Sequence, residues 1–268
     1  MKDMSGKYHL KDLMLLLNLQ PDQYAHLKTA VNRACTKGIG KSVGGRDGWY
    51  QTIDRDYDIL NFKGKNPQGY FSIKYPFGLE EYIKTPRRGL VIVGGSPDAG
   101  KSAWVHNVIN LNWREHQIVC WDSENSDAEL EDRLRHHPSY LDWPDDLFRS
   151  KSENFEDVIE PDAINIIDYL EAPEKLWEIR RPLRHIRDKL KDGIAIICLQ
   201  KPEGRDLPYG KEFAKQLPRI VIAMERGVLK IVKGKAWQTE TNPEGLRWSY
   251  KIVSGEKFMN ITPLGKEF

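Results

Sequence analysis

Two hydrophobic rhythms divide this chain. In the first, Leu10, Leu13, Met14 and Leu17 recur at the three-to-four spacing of one helix face. Pro21-Asp22 then resets the chain, with Asp22 placed to cap a second helix. Tyr24, Leu27, Val31 and Ala34 mark the apolar side of that helix, which runs to about Lys37 and stops at Gly38. Residues 39–43 and 49–53 read as two strands around the glycine-rich turn 44–48. From 54 to 75 the periodicity is lost. The turn formers between Asn61 and Gly69 predict a connector, and residues 77–83 a short helix beyond it.

The second rhythm is one of short continuous apolar runs, at 90–93, 117–122, 164–170 and 194–200. Runs of that length, rich in Val and Ile, predict parallel strands buried on both faces. Ser126 and Glu129 form a capping box that starts the helix after the second run. Strands at 219–224 and 228–232 follow, and 248–253 reads as an antiparallel edge strand that closes the sheet. The expected architecture is α/β: a mostly parallel sheet flanked by helices over 76–268, a linker at 54–75 and a small unit at 1–53. Two helices followed by a hairpin make the small unit resemble the back half of a winged helix.

Charge changes this picture only locally. With 41 Lys and Arg against 39 Asp and Glu, the whole chain is not a polybasic nucleic-acid binder. Lys28, Arg33 and Lys37 on the second helix, with Lys41 and Arg46 on the hairpin, nevertheless concentrate positive charge in the small unit. A winged helix would turn that set toward duplex DNA. A protein partner docking on residues 8–53 is the other reading, and fold alone does not choose between them. The three cysteines have no metal or disulfide spacing, and Cys120 and Cys198 lie inside apolar runs as small core residues. No apolar run approaches the ~18–20 residues of a membrane span. A cytoplasmic or nucleoid-associated protein with no membrane partner is therefore expected.

The chemistry starts at Gly95-Ser96-Pro97-Asp98-Ala99-Gly100-Lys101-Ser102, which fits the phosphate-cradling pattern G-x-x-x-x-G-K-[ST] between a strand and a helix. Glycines let the backbone curl so that its N–H groups face phosphate oxygens, and the following helix points its positive end there. Lys101 supplies a point charge for the β- and γ-phosphates of ATP, and Ser102 a hydroxyl for Mg²⁺. Asp168 closes an apolar strand and offers a second metal ligand. Tyr169 follows it, so no second acid stands there to polarise water. Glu124, just past the end of another strand, is the candidate general base.

These motifs resemble the RecA-like P-loop ATPases, and among them the DnaB-type helicase domain. The resemblance rests on the P-loop, on Glu124-Asn125-Ser126-Asp127-Ala128-Glu129-Leu130 with Arg133, on Ile167-Asp168-Tyr169-Leu170, and on Ile194-Ala195-Ile196-Ile197-Cys198-Leu199-Gln200. It implies Glu124 as catalytic base and Gln200 as phosphate sensor. In the segment 201–211 it implies a channel loop, where Lys201, Arg205 and Lys211 would track the phosphates of single-stranded DNA beside Tyr209. The acidic segment 171–175 departs from the family, whose corresponding loop often contributes to DNA binding. The resemblance further implies that Lys233 and Lys235 act in trans on a neighbouring subunit's γ-phosphate, in a ring or filament for which a hexamer is the analogy. The function implied is an oligomeric, DNA-associated ATPase motor. The alternative is a non-motor ATP-dependent loader or regulator that uses the small unit. A small-molecule kinase would leave Lys233 and Lys235 without a role.

Overall fold

Each rhythm folds into its own unit. The computed structural model describes residues 6–43, 48–53 and 69–267, and the chain divides into Met1–Pro67 and Gln68–Phe268. In the first unit, β1 (Lys7–His9) runs straight into α1 (Leu10–Leu16), followed by α2 (Tyr24–Thr36), β2 (Gly40–Ser42) and β3 (Trp49–Thr52). The strands form an antiparallel sheet in the order β1-β3-β2. Tyr8, Leu10, Leu13, Leu27, Val31 and Tyr50 fill the space between sheet and helices.

The predicted helices are present and the two predicted strands pair antiparallel, residues 44–47 of the turn between them lying outside the described residues; two corrections follow. Leu17 is not on the buried face. It lies just past the end of a seven-residue helix, and Leu15, Leu16 and Leu17 are 81%, 67% and 54% exposed. Asp22 does not cap α2: Pro21–Gln23 forms a 3-10 turn whose entry is closed by the Gln20 N–H donating to Gln23 Oε1 at 2.9 Å. The strand β1 is hidden from the pattern because it has three residues. His9 ends it and caps α1, its Nδ1 accepting from the Lys11 N–H at 3.1 Å while Asp12 accepts from the His9 N–H at 3.3 Å.

The second unit begins before the predicted linker ends. Phe71, Ile73 and Tyr75 are buried on alternate positions, and the Tyr75 and Thr85 hydroxyls lie 2.9 Å apart. The alternation is too short to stand out between Ser72 and Lys74. The rest of the linker, residues 54–68, lies outside the described residues. The short helix expected at 77–83 is instead a 3-10 turn at Pro76–Glu81, interrupted where Phe77 and Gly78 take positive φ.

Beyond it come β4 (Leu90–Gly95), α3 (Lys101–Asn112), β5 (Ile118–Asp122), α4 (Asp127–Leu134), β6 (Phe148–Ser150) and β7 (Ile164–Asp168). Then follow α5 (Arg180–Lys189), β8 (Ile194–Gln200), α6 (Glu212–Gln216), β9 (Ile220–Glu225), β10 (Val228–Gly234), β11 (Leu246–Val253) and β12 (Lys257–Lys266). Among the described residues these nine strands make one sheet, in the order β12-β11-β10-β9-β4-β8-β7-β5-β6. From β9 to β6 neighbours run parallel, and β10, β11 and β12 are antiparallel. The edge expected at 248–253 is therefore not the edge, because β12 pairs outside β11. Its apolar residues, Phe258, Met259, Ile261 and Leu264, follow no strict alternation, and all but Phe258 are exposed.

Alternation along the central strands sends side chains to both faces. Val91, Val93, Ile164 and Ile166 meet Trp104 and Val105 of α3, while Leu90, Ile92 and Ile197 meet Leu183 and Ile186 of α5. Each such fully buried aliphatic side chain stabilises the fold by about 1.5–3 kcal/mol. Cys120 and Cys198 are free and buried, as the apolar runs predicted. None of the described helices is long and apolar enough to cross a membrane.

Candidate functional site

The parallel register brings the chemistry to one edge. Gly95 at the end of β4 lies opposite Gln200 at the end of β8, and Asp122 at the end of β5 lies opposite Asp168 at the end of β7. Because β8 separates β4 from β7, the glutamine stands between the phosphate loop and the acid. This is the carboxyl edge of the parallel strands, where open α/β sheets bind ligands.

The loop after β4 passes through left-handed backbone: Gly100 has φ +90°, which glycine adopts freely, and Asp98, two residues before it, has φ +57°. A Cβ on Gly95 would sit 2.5 Å from Lys101 Cγ, so only glycine lets that side chain fold over the strand end. Lys101 Nζ donates to the Gly95 and Ser96 carbonyls at 3.3 Å each. The N-cap of α3, Gly100, has no side chain to cap the helix, which leaves its first N–H groups for a ligand. The loop is also held from behind. Ser96 Oγ donates to Glu225 Oε2 at 2.8 Å, and the Tyr250 hydroxyl reaches the Ala99 carbonyl at 2.6 Å and the Glu225 carbonyl at 2.7 Å.

Lys101, Ser102, Glu124, Asp168 and Gln200 line one cleft of about 540 Å³, a size that suits a small-molecule ligand. Arg133 of α4, with Ile252 and Gly255 from β11 and the turn after it, lines the same cleft. Asp122 places the candidate base by accepting from the Glu124 and Asn125 N–H groups, both at 2.9 Å. Burial, and then the neighbouring Asp168 carboxylate, push the Glu124 pKa up against the pull of the Lys101 ammonium. That shift makes Glu124 a better proton acceptor than an ordinary carboxylate. Asp168 Oδ2 is buried and has no hydrogen-bond partner among the described residues. An oxygen in that state fits a hard cation, which Asp168 would hold with the Ser102 hydroxyl that lines the same cleft.

Lys201 is not presented to solvent. Its ammonium is buried, pairs with Glu225 and donates to the Arg205 carbonyl at 2.7 Å. It pins the base of the 201–211 loop, so it is unavailable as a contact to DNA phosphate. The loop closes on itself where the Tyr209 N–H donates to the Gln200 carbonyl at 2.9 Å. Arg205, Tyr209 and Lys211 are exposed on it.

Lys233 is likewise withdrawn. It is 5% exposed, and Nζ donates to the Lys215 and Gln216 carbonyls at the end of α6, at 2.5 and 3.3 Å. Burial, then the charges of Lys235, Lys215 and Arg219, bring its pKa down to about 8. It is therefore not a free finger, whereas Lys235 is exposed. Both lie at the far end of the sheet: Gly234 is opposite Ile220, which is opposite Val91 at the start of β4. Four residues of strand, about 13 Å, separate that level from Gly95.

In the small unit, Arg33, Lys37 and Lys41 are exposed and Lys28 is half-buried, while Arg46 lies outside the described residues. Glu225, Tyr250 and Glu256 support the cleft without any motif to announce them. Each is an ordinary strand or turn residue until the fold assigns its partners.

No protein-family model matches the chain, and no curated protein matches it. Among solved structures, the crystal structure of the RadB recombinase is similar to it at 12% sequence identity, over 65% of this chain and 90% of that one, with a TM-score of 0.47.

Proposed function

We propose that this chain is a RecA-like ATPase that binds Mg·ATP in the cleft at the sheet edge and hydrolyses it. One observation carries the reading: Lys101, Ser102, Glu124, Asp168 and Gln200, scattered over 100 positions of sequence, line one cleft beside an uncapped helix start. Lys101 exchanges its two loop carbonyls for the β- and γ-phosphates. Ser102 and Asp168 hold Mg²⁺, which when bound neutralises charge on the phosphates. Glu124 takes the proton from the water that attacks the γ-phosphorus as the P–O bond to the β–γ bridging oxygen breaks and ADP leaves, and Gln200 reports whether the γ-phosphate is present.

Lys235 stands too far from its own chain's cleft to act there, so its role is in a neighbouring copy, in a ring or filament built head to tail. In this reading the assembly is a DNA-associated motor, with Arg205, Tyr209 and Lys211 facing single-stranded DNA. The second reading is a non-motor switch that contacts duplex DNA or a protein through the small unit, with Lys28, Arg33, Lys37 and Lys41 at the contact. The withdrawal of Lys201 favours it, because the loop after Gln200 keeps fewer free cations than its composition suggests.

The test is phosphate release from Mg·ATP without DNA, with single-stranded DNA and with duplex, alongside mass measurement. Turnover that Lys101→Ala abolishes supports the ATPase. Stimulation by single strands selects the motor, and ATP-dependent assembly on duplex without strand separation selects the switch. Absence of both binding and turnover in all three conditions overturns the reading.

A further inference from the structure

The turn between β11 and β12 carries one buried residue among exposed ones. Ser254 and Gly255 take positive φ, at 53° and 72°, and the tight reversal returns the chain with Glu256 facing inward at 0% exposure. An unmatched carboxylate there would cost several kcal/mol, so its partners are informative. Arg133 Nε donates to Oε1 at 2.9 Å. His106 Nδ1 and His137 Nε2 both reach Oε2, at 3.0 and 3.3 Å. Asn107 Nδ2 donates to the Glu256 backbone carbonyl at 2.9 Å. Burial alone would push the Glu256 pKa up, but the hydrogen bonds from His106, His137 and Arg133 outweigh it and hold the carboxyl well below the usual range.

These partners come from two places that matter. His106 and Asn107 are on α3, the helix that starts at the phosphate loop. Arg133 is on α4, which follows the Glu124 turn, and His137 lies just beyond it. Arg133 also lines the cleft, with Nη1 3.5 Å from Asn125 Oδ1 and its side chain 33% exposed. A guanidinium carries five N–H donors, so these two contacts leave others for a ligand. Ile252 and Gly255, which also line the cleft, flank the same turn.

We propose that Glu256 is a positioning residue of the nucleotide site: it acts through Arg133, fixing that guanidinium at the cleft wall where it contacts the bound nucleotide's phosphates. The inference rests on the nucleotide reading above and adds a residue that no motif contains. Glu256 does not touch the ligand. It aims the group that does, and it ties the β11–β12 turn to the phosphate-loop helix at the same time. The two imidazoles and the carboxylate are also a donor set that zinc uses. Here, however, Arg133 and both rings already satisfy the carboxylate.

The test is equilibrium binding of Mg·ATP by the full chain, comparing wild type with Glu256→Gln, Arg133→Ala and the double variant. Glu256→Gln keeps the side-chain volume, and thermal melting of each variant reports folding. Each single change is expected to weaken binding about tenfold, the scale of one hydrogen bond to a charged group. The double variant is expected to bind no more weakly than Arg133→Ala alone, because both changes remove one interaction. Multiplying losses, or a lowered melting point with unchanged affinity, overturn the proposal in favour of a purely structural role. Stoichiometric zinc in the purified wild type that is lost from Glu256→Gln overturns it in favour of a metal site. If wild type binds no nucleotide, the ATPase reading itself fails, a result distinct from all of these.

Discussion

Replacing Tyr250 with Phe isolates one contact between the outer strands and the phosphate loop. The ring is buried against Phe77 and Phe258, with centroids 5.4 and 5.1 Å away, and Phe preserves both contacts. No cavity forms, so the change is confined to the hydroxyl. That hydroxyl has one proton and two carbonyl partners, Ala99 at 2.6 Å and Glu225 at 2.7 Å. Its removal deletes one hydrogen bond and leaves a buried carbonyl short of a donor, a loss of about 1–3 kcal/mol. Urea unfolding followed by tryptophan fluorescence measures it, because Trp49 is the only one of the eight tryptophans in the first unit. The midpoint should fall while the slope with denaturant stays constant. Because Ala99 is part of the loop, Mg·ATP affinity should fall as well. A stability within about 0.3 kcal/mol of wild type, below what losing such a bond costs, would refute the claim that this hydroxyl braces the loop.

Three further outcomes are expected. Glu124→Gln should bind Mg·ATP like wild type and lose hydrolysis by at least about 100-fold, the usual contribution of a general base, and retained turnover in single-turnover assays would remove Glu124 from that role. Lys233 has a pKa of about 8 in the fold against 10.5 in the unfolded chain, so the unfolded state binds more protons between those values. Stability should therefore rise with pH from about 8 to 10.5, by no more than about 3 kcal/mol and less after solvent screening. Lys233→Met should flatten that rise, and identical pH profiles for the two proteins would contradict it. Replacing Arg33 and Lys41 with Glu should weaken any duplex binding and reduce its salt dependence by about one unit for each phosphate no longer neutralised, leaving Mg·ATP affinity unchanged. An unaltered salt slope would point to a protein partner instead.

The parts of the fold that sequence reveals are those where one residue's surroundings are set by its neighbours. The runs of Leu90–Val93 and Ile194–Leu199 are buried on both faces, so every position is apolar and the strand is plain. Ser126 and Glu129 cap α4 within one turn, an interaction local enough to read directly. The phosphate loop announces itself because backbone geometry demands glycine at fixed places. Long-range partners leave no such trace. Lys201 and Lys233 look like surface cations, yet Glu225 and the end of α6 draw them inside. Glu256 is one acid among 39 Asp and Glu until two histidines and an arginine from distant segments surround it. The strand β12 is hidden because its apolar residues, Phe258, Met259, Ile261 and Leu264, fall on no strict alternation and most of its side chains stay exposed.

The central claim is that one cleft grips a triphosphate together with a metal ion. Calorimetric titration of the wild-type chain with ATP, with and without Mg²⁺, tests it most directly. One site per chain, strengthened by Mg²⁺, lost in Lys101→Ala and no longer responsive to Mg²⁺ in Asp168→Asn, is the predicted result. Binding that ignores both substitutions, or no binding at millimolar nucleotide (an affinity weaker than about 4 kcal/mol), would contradict the account.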